Sequence, residues 1–194
     1  MYQNFQLRSP FFLAGLVSLF LMGASLVIPG QYHAAAADPG AGAAGTMVGP
    51  SGLPLPRFVS LKPSRANLRV GPGRQYAVSW LFQKSGLPIE IIQEYDNWRR
   101  IRDADGAEGW IYQSMLSGKR TAIVAPWKKN EPKALISLHA GPDETTGLVA
   151  RVEPGVIGTL DECDGDWCRF KIEGVDGWVK QAELWGAYPG EKFD

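Results

Sequence analysis

Cysteine and histidine are scarce, with two of each in 194 residues. A structural zinc centre needs about four nitrogen or sulfur ligands at recognisable spacing. Cys163, Cys168 and His139 have no such spacing, so neither a metal nor a cofactor is expected. The C-x4-C interval also departs from the C-x-x-C of thiol redox centres. A thiol hydrolase would require His139 to activate Cys163 or Cys168. Too little sequence is left over for a catalytic domain, so no catalytic residue is expected. Charge of one sign is lacking as well: 20 Lys+Arg balance 20 Asp+Glu. Without a basic motif, nucleic acid is not an expected partner. Long uninterrupted segments are rare, because 23 Gly and 14 Pro punctuate the chain, which disfavours long helices and favours β-structure. What is present is enough apolar material, 45% of residues, for one or two modest cores, and that excludes chain-wide disorder.

The one long uncharged run lies at the start. Phe11 to Ile28 carries no charge, follows Arg8, and leads to Pro29-Gly30 and the small residues Ala34-Ala35-Ala36-Ala37. Residues 1–37 read as a secretory signal cleaved near Ala37, with an uncleaved membrane anchor as the alternative. Either way the remainder is exported. Residues 38–56, rich in Gly and Pro, bury too little surface to offset the entropy of ordering and read as a flexible linker.

The rest is written twice. Leu68-Arg69-Val70-Gly71-Pro72 aligns with Leu138-His139-Ala140-Gly141-Pro142, Gly86 with Gly155, Trp98 with Trp167, and Gly109-Trp110 with Gly177-Trp178. Four landmarks in the same order identify a duplication, which sets the frame for every motif inside it. In the first copy, strands are expected at 66–70, 78–82, 88–95, 98–102 and 109–112, with hairpin tips at Asp96-Asn97 and, in the second copy, Gly165-Asp166. Gln113–Leu116 and Gln181–Leu184 are expected as single 3₁₀ turns.

Alternation assigns the faces. In 167–172, Cys168, Phe170 and Ile172 point one way and Trp167, Arg169 and Lys171 the other. The equivalent 98–102 turns Ile101 inward and sets Trp98 with Arg100 and Arg102 on the outer face. An outward tryptophan near cations suits sugars, peptides or anionic polymers; the alternative is a ring that covers a hairpin and packs on arginine stems. Trp110 and Trp178 read as core or rim packing.

If Gly165-Asp166 is a two-residue loop, Cys163 and Cys168 face each other at a non-hydrogen-bonded rung, within reach of a disulfide, and export favours its oxidation. The same positions in the first copy are Glu94 and Arg99, an opposite-charge pair across the strands.

Charge is also divided between the copies. Residues 57–120 hold 11 Lys+Arg against 6 Asp+Glu, a net +5, while residues 121–194 hold 8 against 13, a net −5. Either the copies dock on each other, or the first faces an anionic partner. Apolar Ile123, Val124 and Trp127 in the connector favour docking, with Trp127 and Trp185 expected at the seam.

The run Ala66-Asn67-Leu68-Arg69-Val70-Gly71-Pro72-Gly73, then Gly86, Asp96-Asn97-Trp98-Arg99-Arg100-Ile101, Gly106 and Gly109-Trp110-Ile111, resembles the bacterial SH3 (SH3b) domain. The second copy departs at Ser137-Leu138-His139-Ala140. With the export signal and the cysteine hairpin, the pair also resembles a proteobacterial group of secreted SH3-like proteins of unassigned function. The resemblance implies an all-β fold of two small SH3-like barrels in tandem, preceded by an N-terminal hydrophobic signal helix and a disordered linker. The expected domains are 57–120 and 133–194, joined by a connector at 121–132. It further implies a non-catalytic binding module in the periplasm, or anchored to the inner membrane if the signal is retained. The partner would be peptidoglycan or another envelope component; an envelope adaptor that takes an extended peptide from a protein is the alternative. The ligand-binding residues expected on this basis are Arg69, Gly71, Pro72, Tyr76, Trp98 and Arg100.

Overall fold

The computed structural model describes residues 47–194. The signal or anchor expected at 1–37 lies outside them, as does the first half of the linker. Two short strands, β1 (Met47–Val48) and β2 (Pro54–Leu55), form a small antiparallel pair. Seven strands of the first module follow: β3 (Arg57–Leu61), β4 (Ala66–Arg69), β5 (Val78–Phe82), β6 (Pro88–Tyr95), β7 (Trp98–Arg102), β8 (Glu108–Tyr112) and β9 (Leu116–Ser117). The second module contains β10 (Thr121–Val124), β11 (Ile136–His139), β12 (Leu148–Val152), β13 (Ile157–Asp164), β14 (Trp167–Ile172), β15 (Val175–Lys180), β16 (Leu184–Trp185) and β17 (Lys192–Phe193).

The two sheets have the same order, β5-β4-β8-β7-β6-β3-β9 and β12-β11-β15-β14-β13-β10-β16, with β17 added against β13. The strands are short because Gly, Pro and Asp end them, and all pairings are antiparallel. Among the described residues there is no α-helix; single 3₁₀ turns occur at Gln113–Met115, Pro126–Lys128 and Gln181–Glu183. Each sheet curls around its own apolar set. Leu61, Leu68, Ile89, Ile91, Ile101 and Ile111 fill the first, and Val124, Leu138, Leu160, Phe170 and Val179 the second.

Three expectations need correction. Thr121–Val124 is not connector: it is the opening strand of the second module, paired to β13 and β16 and buried along its whole length. Its four residues are too few to stand out as a strand by alternation, and both of its faces are covered. Residues 47–56 are not a free linker. Leu55 is buried, and Ser51 donates from its backbone N and its Oγ to Glu94, both at 2.8 Å, so this arm is tied to the first module. Trp127 is exposed and outside the seam, whereas Trp185 lies in it.

The seam combines aromatic packing with an ion pair, Arg120 to Glu191 at 2.7 Å, beside the Phe58 ring. Phe58 of β3 packs edge-on to Trp185 at 5.2 Å between ring centroids and against Tyr188 at 4.7 Å. The Tyr188 hydroxyl donates to Glu90 at 2.9 Å. Burial, with the Glu90 carboxylate beside it, holds that phenol far above its ordinary range, so it stays a neutral donor.

Cys163 and Cys168 stand opposite each other in the register, 4.1 Å apart at Cα, and are joined by a disulfide. Gly165, with φ of 109°, makes the tight turn between them. Replacing both cysteines by serine is expected to lower stability by about 2 kcal/mol, the low end for so short a loop. Thermal melts of the variant and of the oxidised protein test this; equal midpoints would refute it.

Candidate functional site

The site is built on the outer face of the first module, where β4, β7 and β8 meet the loop after β4. Trp98 faces outward from β7 because Arg99 and Ile101 alternate inward. Cross-strand pairing sets Trp98 beside Tyr112, with the rings edge-on at 5.4 Å. The open cleft here has a volume of about 600 Å³, and its polar wall carries Arg65, Arg69, Arg74 and Asn67. No carboxylate lines it. The Arg69 guanidinium donates to the carbonyl of Tyr76 at 2.6 Å, which fixes the loop against the strand. Arg65 and Arg74 are exposed and make no ion pair among the described residues. The loop folds tightly because Gly71 lies beneath the Tyr76 ring, where a Cβ would come within 2.5 Å of it.

Of the expected residues, only Arg69 and Trp98 line the cleft; Gly71, Pro72 and Tyr76 shape the adjoining loop, which Arg69 holds through the Tyr76 carbonyl. Arg100 is not part of the cleft. It donates to Glu108 at 2.9 Å, and Arg102 donates to the same carboxylate at 3.0 and 2.8 Å. The cations near Trp98 are therefore not its strand neighbours, because the carboxylates of β6 and β8 neutralise those; they come from the β3–β4 connection and the loop after β4. Arg65, Arg74 and Tyr112 were not expected there from the sequence. Tyr112 was legible in principle, since a hairpin from Trp98 through Asp105-Gly106 pairs the two.

On the inner face, Glu94 and Arg99 occupy the positions of Cys163 and Cys168. The Glu94 carboxylate accepts from Arg57 at 2.6 Å and lies 3.2 Å from Arg99 Nε. Burial pushes this carboxyl up, but the bonds from Arg57 and Ser51 outweigh it and hold the group below its usual range.

The second module has the corresponding groove, about 460 Å³, around Trp167. His139 stands edge-on to Trp167 at 5.5 Å, and Lys180 Nζ lies 5.9 Å from its ring centroid. Lys180 is ion-paired with Glu144, which holds that carboxyl below and that amine above their ordinary values. Trp167 is left 9% exposed. His139 thus lies on the outer face, while Cys168 is fully buried on the inner one and bonded to Cys163, so no cysteine–histidine pair is assembled.

A search of curated proteins finds no match to this chain. Among solved structures, NlpC2 from Trichomonas vaginalis is similar over 67% of this chain and 48% of its own, with 12% identity and a TM-score of 0.29. NlpC1 from the same organism is similar over 66% and 45%, with 14% identity and a TM-score of 0.28. The chain spans about half the length of these two proteins, and both likenesses are too remote to bear on function. The family profile described as the bacterial SH3 domain matches residues 62–118 and again 133–186, which together exceed half of the sequence and fall one in each module, without the opening strands β3 and β10. The chain belongs to the bacterial SH3 domain family, of which it carries two copies in tandem.

Proposed function

We propose that the chain is an exported, non-catalytic binding module that holds to peptidoglycan through the groove of its first module. The observation that carries this reading is the convergence of Arg65, Arg69 and Arg74 on an aromatic pair, Trp98 and Tyr112, with no acid among them. Wall polymer offers sugar faces for the rings and anionic groups for the guanidinium groups. The disulfide supports an extracytoplasmic location, since thiols in the cytosol are kept reduced.

A second reading has an observation of its own. Strand β5 lies at the sheet edge, paired only with β4, and exposes Val78 and Trp80. An extended peptide from an envelope protein could add there as a further strand.

Retention on purified sacculi separates the two. The wild type is expected to sediment with them, increasingly poorly as salt rises, and Trp98→Ala is expected to weaken retention by about tenfold or more. Absence of retention, or retention indifferent to the substitution, would overturn the wall-binding groove. No retention on sacculi, with capture of an envelope protein lost on Trp80→Ala, would favour the strand-edge reading.

A further inference from the structure

The duplication supplies two copies of one groove, and their divergence indicates what the open copy accepts. Register sets the correspondence. Trp98 pairs with Tyr112 and Trp167 with Lys180; Arg69 pairs with Trp110 and His139 with Trp178. The loops turn alike, with Gly73 N donating to the Gly71 carbonyl at 3.0 Å and Asp143 N to the Gly141 carbonyl at 2.8 Å. Arg74 therefore corresponds to Glu144, and Tyr112 to Lys180.

In the second module the Glu144 carboxylate spans the groove to Lys180, whose amine in turn lies over Trp167. A carboxylate already occupies the space between the loop and β15. In the first module the same loop position carries Arg74, and Arg65 and Arg69 line the same cleft. One groove thus contains an acid of its own, and the other contains the groups that would bind one.

We infer that the first groove takes the carboxylate groups of its ligand, whereas the second is closed by Glu144, so that each chain binds one carboxylate-bearing ligand rather than two. This rests on the reading of the chain as a wall-binding module. A carboxylate entering the first groove meets planar guanidinium forks that match its two oxygens. Entering the second, it must displace Glu144 from Lys180 and lie near Glu183, itself bonded to Lys128 at 2.8 Å. An exposed ion pair is weak. The second groove is therefore closed by competition and like-charge repulsion rather than by a rigid cover.

The test uses soluble muropeptides released from sacculi, with their carboxylates free or converted to amides, titrated into the protein while the tryptophan indole N–H signals are followed by NMR. Free-carboxylate muropeptides are expected to move the Trp98 signal and leave that of Trp167 in place, with one bound per chain. Amidated muropeptides are expected to bind about tenfold more weakly. Glu144→Ala is expected to make Trp167 respond as a second site. Transplanting the closing pair, Arg74→Glu with Tyr112→Lys, is expected to silence Trp98 while the thermal midpoint confirms folding. Equal affinity for amidated muropeptides, a Trp167 response in the wild type, or a silent Trp167 in Glu144→Ala would each overturn the inference. Retention on sacculi through Trp98 that ignores amidation overturns this inference alone; no retention and no muropeptide response overturns the wall-binding reading with it.

Discussion

Glu94→Ala is expected to destabilise the first module by about 3–5 kcal/mol, the cost of removing one partner from a buried charge cluster. The Glu94 side chain is 1% exposed, and two arginines depend on it, Arg57 at 16% and Arg99 at 8% exposure. Without the carboxylate their guanidinium groups keep only neutral partners, such as the Asp96 carbonyl and Gln113 for Arg99. The N-terminal arm loses its anchor as well, because Ser51 binds the same carboxylate. The pH dependence has a definite sign. Glu94 is held below the ordinary carboxyl range, so its stabilising contribution is complete above the unfolded value, about pH 4.3. It is lost as pH falls through the lower folded value.

The duplication provides the control for that experiment. Cys163 and Cys168 occupy the same rung as Glu94 and Arg99. The double change Glu94→Cys with Arg99→Cys should therefore form a disulfide, restore part of the loss, since Arg57 and Ser51 stay without the carboxylate, and remove this acid-sensitive component. Urea denaturation of the three proteins at neutral and acidic pH measures both effects. If Glu94→Ala costs less than about 1 kcal/mol, the cluster is not the support described here.

Phe58→Ala is expected to uncouple the modules. Strand β3 is buried on both faces because it serves two neighbours: Val59 and Leu61 enter the first core, while Phe58 packs on Trp185 and Tyr188. Phe58 is 6% exposed, and removing such a ring typically costs about 3–5 kcal/mol. Most of that loss should fall on the seam, since neither core contains the ring. The wild type is expected to tumble as one body and the variant as two, by NMR relaxation, with the unfolding transition splitting into two. A single correlation time retained in the variant would refute the seam.

The first module's strand pattern was largely legible, because alternation and Gly or Asp punctuation report directly on local geometry. The expected 78–82, 88–95 and 98–102 strands coincide with β5, β6 and β7. The cysteine rung was legible for the same reason, since a two-residue loop leaves one register. Strand β10 was not. Its burial comes from both its own core and the seam, so it reads as an apolar stretch without period. The cleft was half legible. Trp98 and Arg69 were recognisable from the face and the motif, but Arg100 was assigned by its neighbour in sequence rather than by the carboxylate across the sheet.

Composition, punctuation and internal repetition alone determined that the chain is all-β and doubled, that a cysteine pair and an ion pair stand at equivalent rungs, and that Trp98 and Trp167 lie on the outer sides of their strands. Only the tertiary structure decided which charges are spent on one another and which are left for a ligand. That outcome depends on cross-strand and loop-to-sheet distances between residues far apart in the chain: Glu108 takes up Arg100 and Arg102, Glu144 takes up Lys180, and Arg65 and Arg74 line the cleft of Trp98 without a counter-charge.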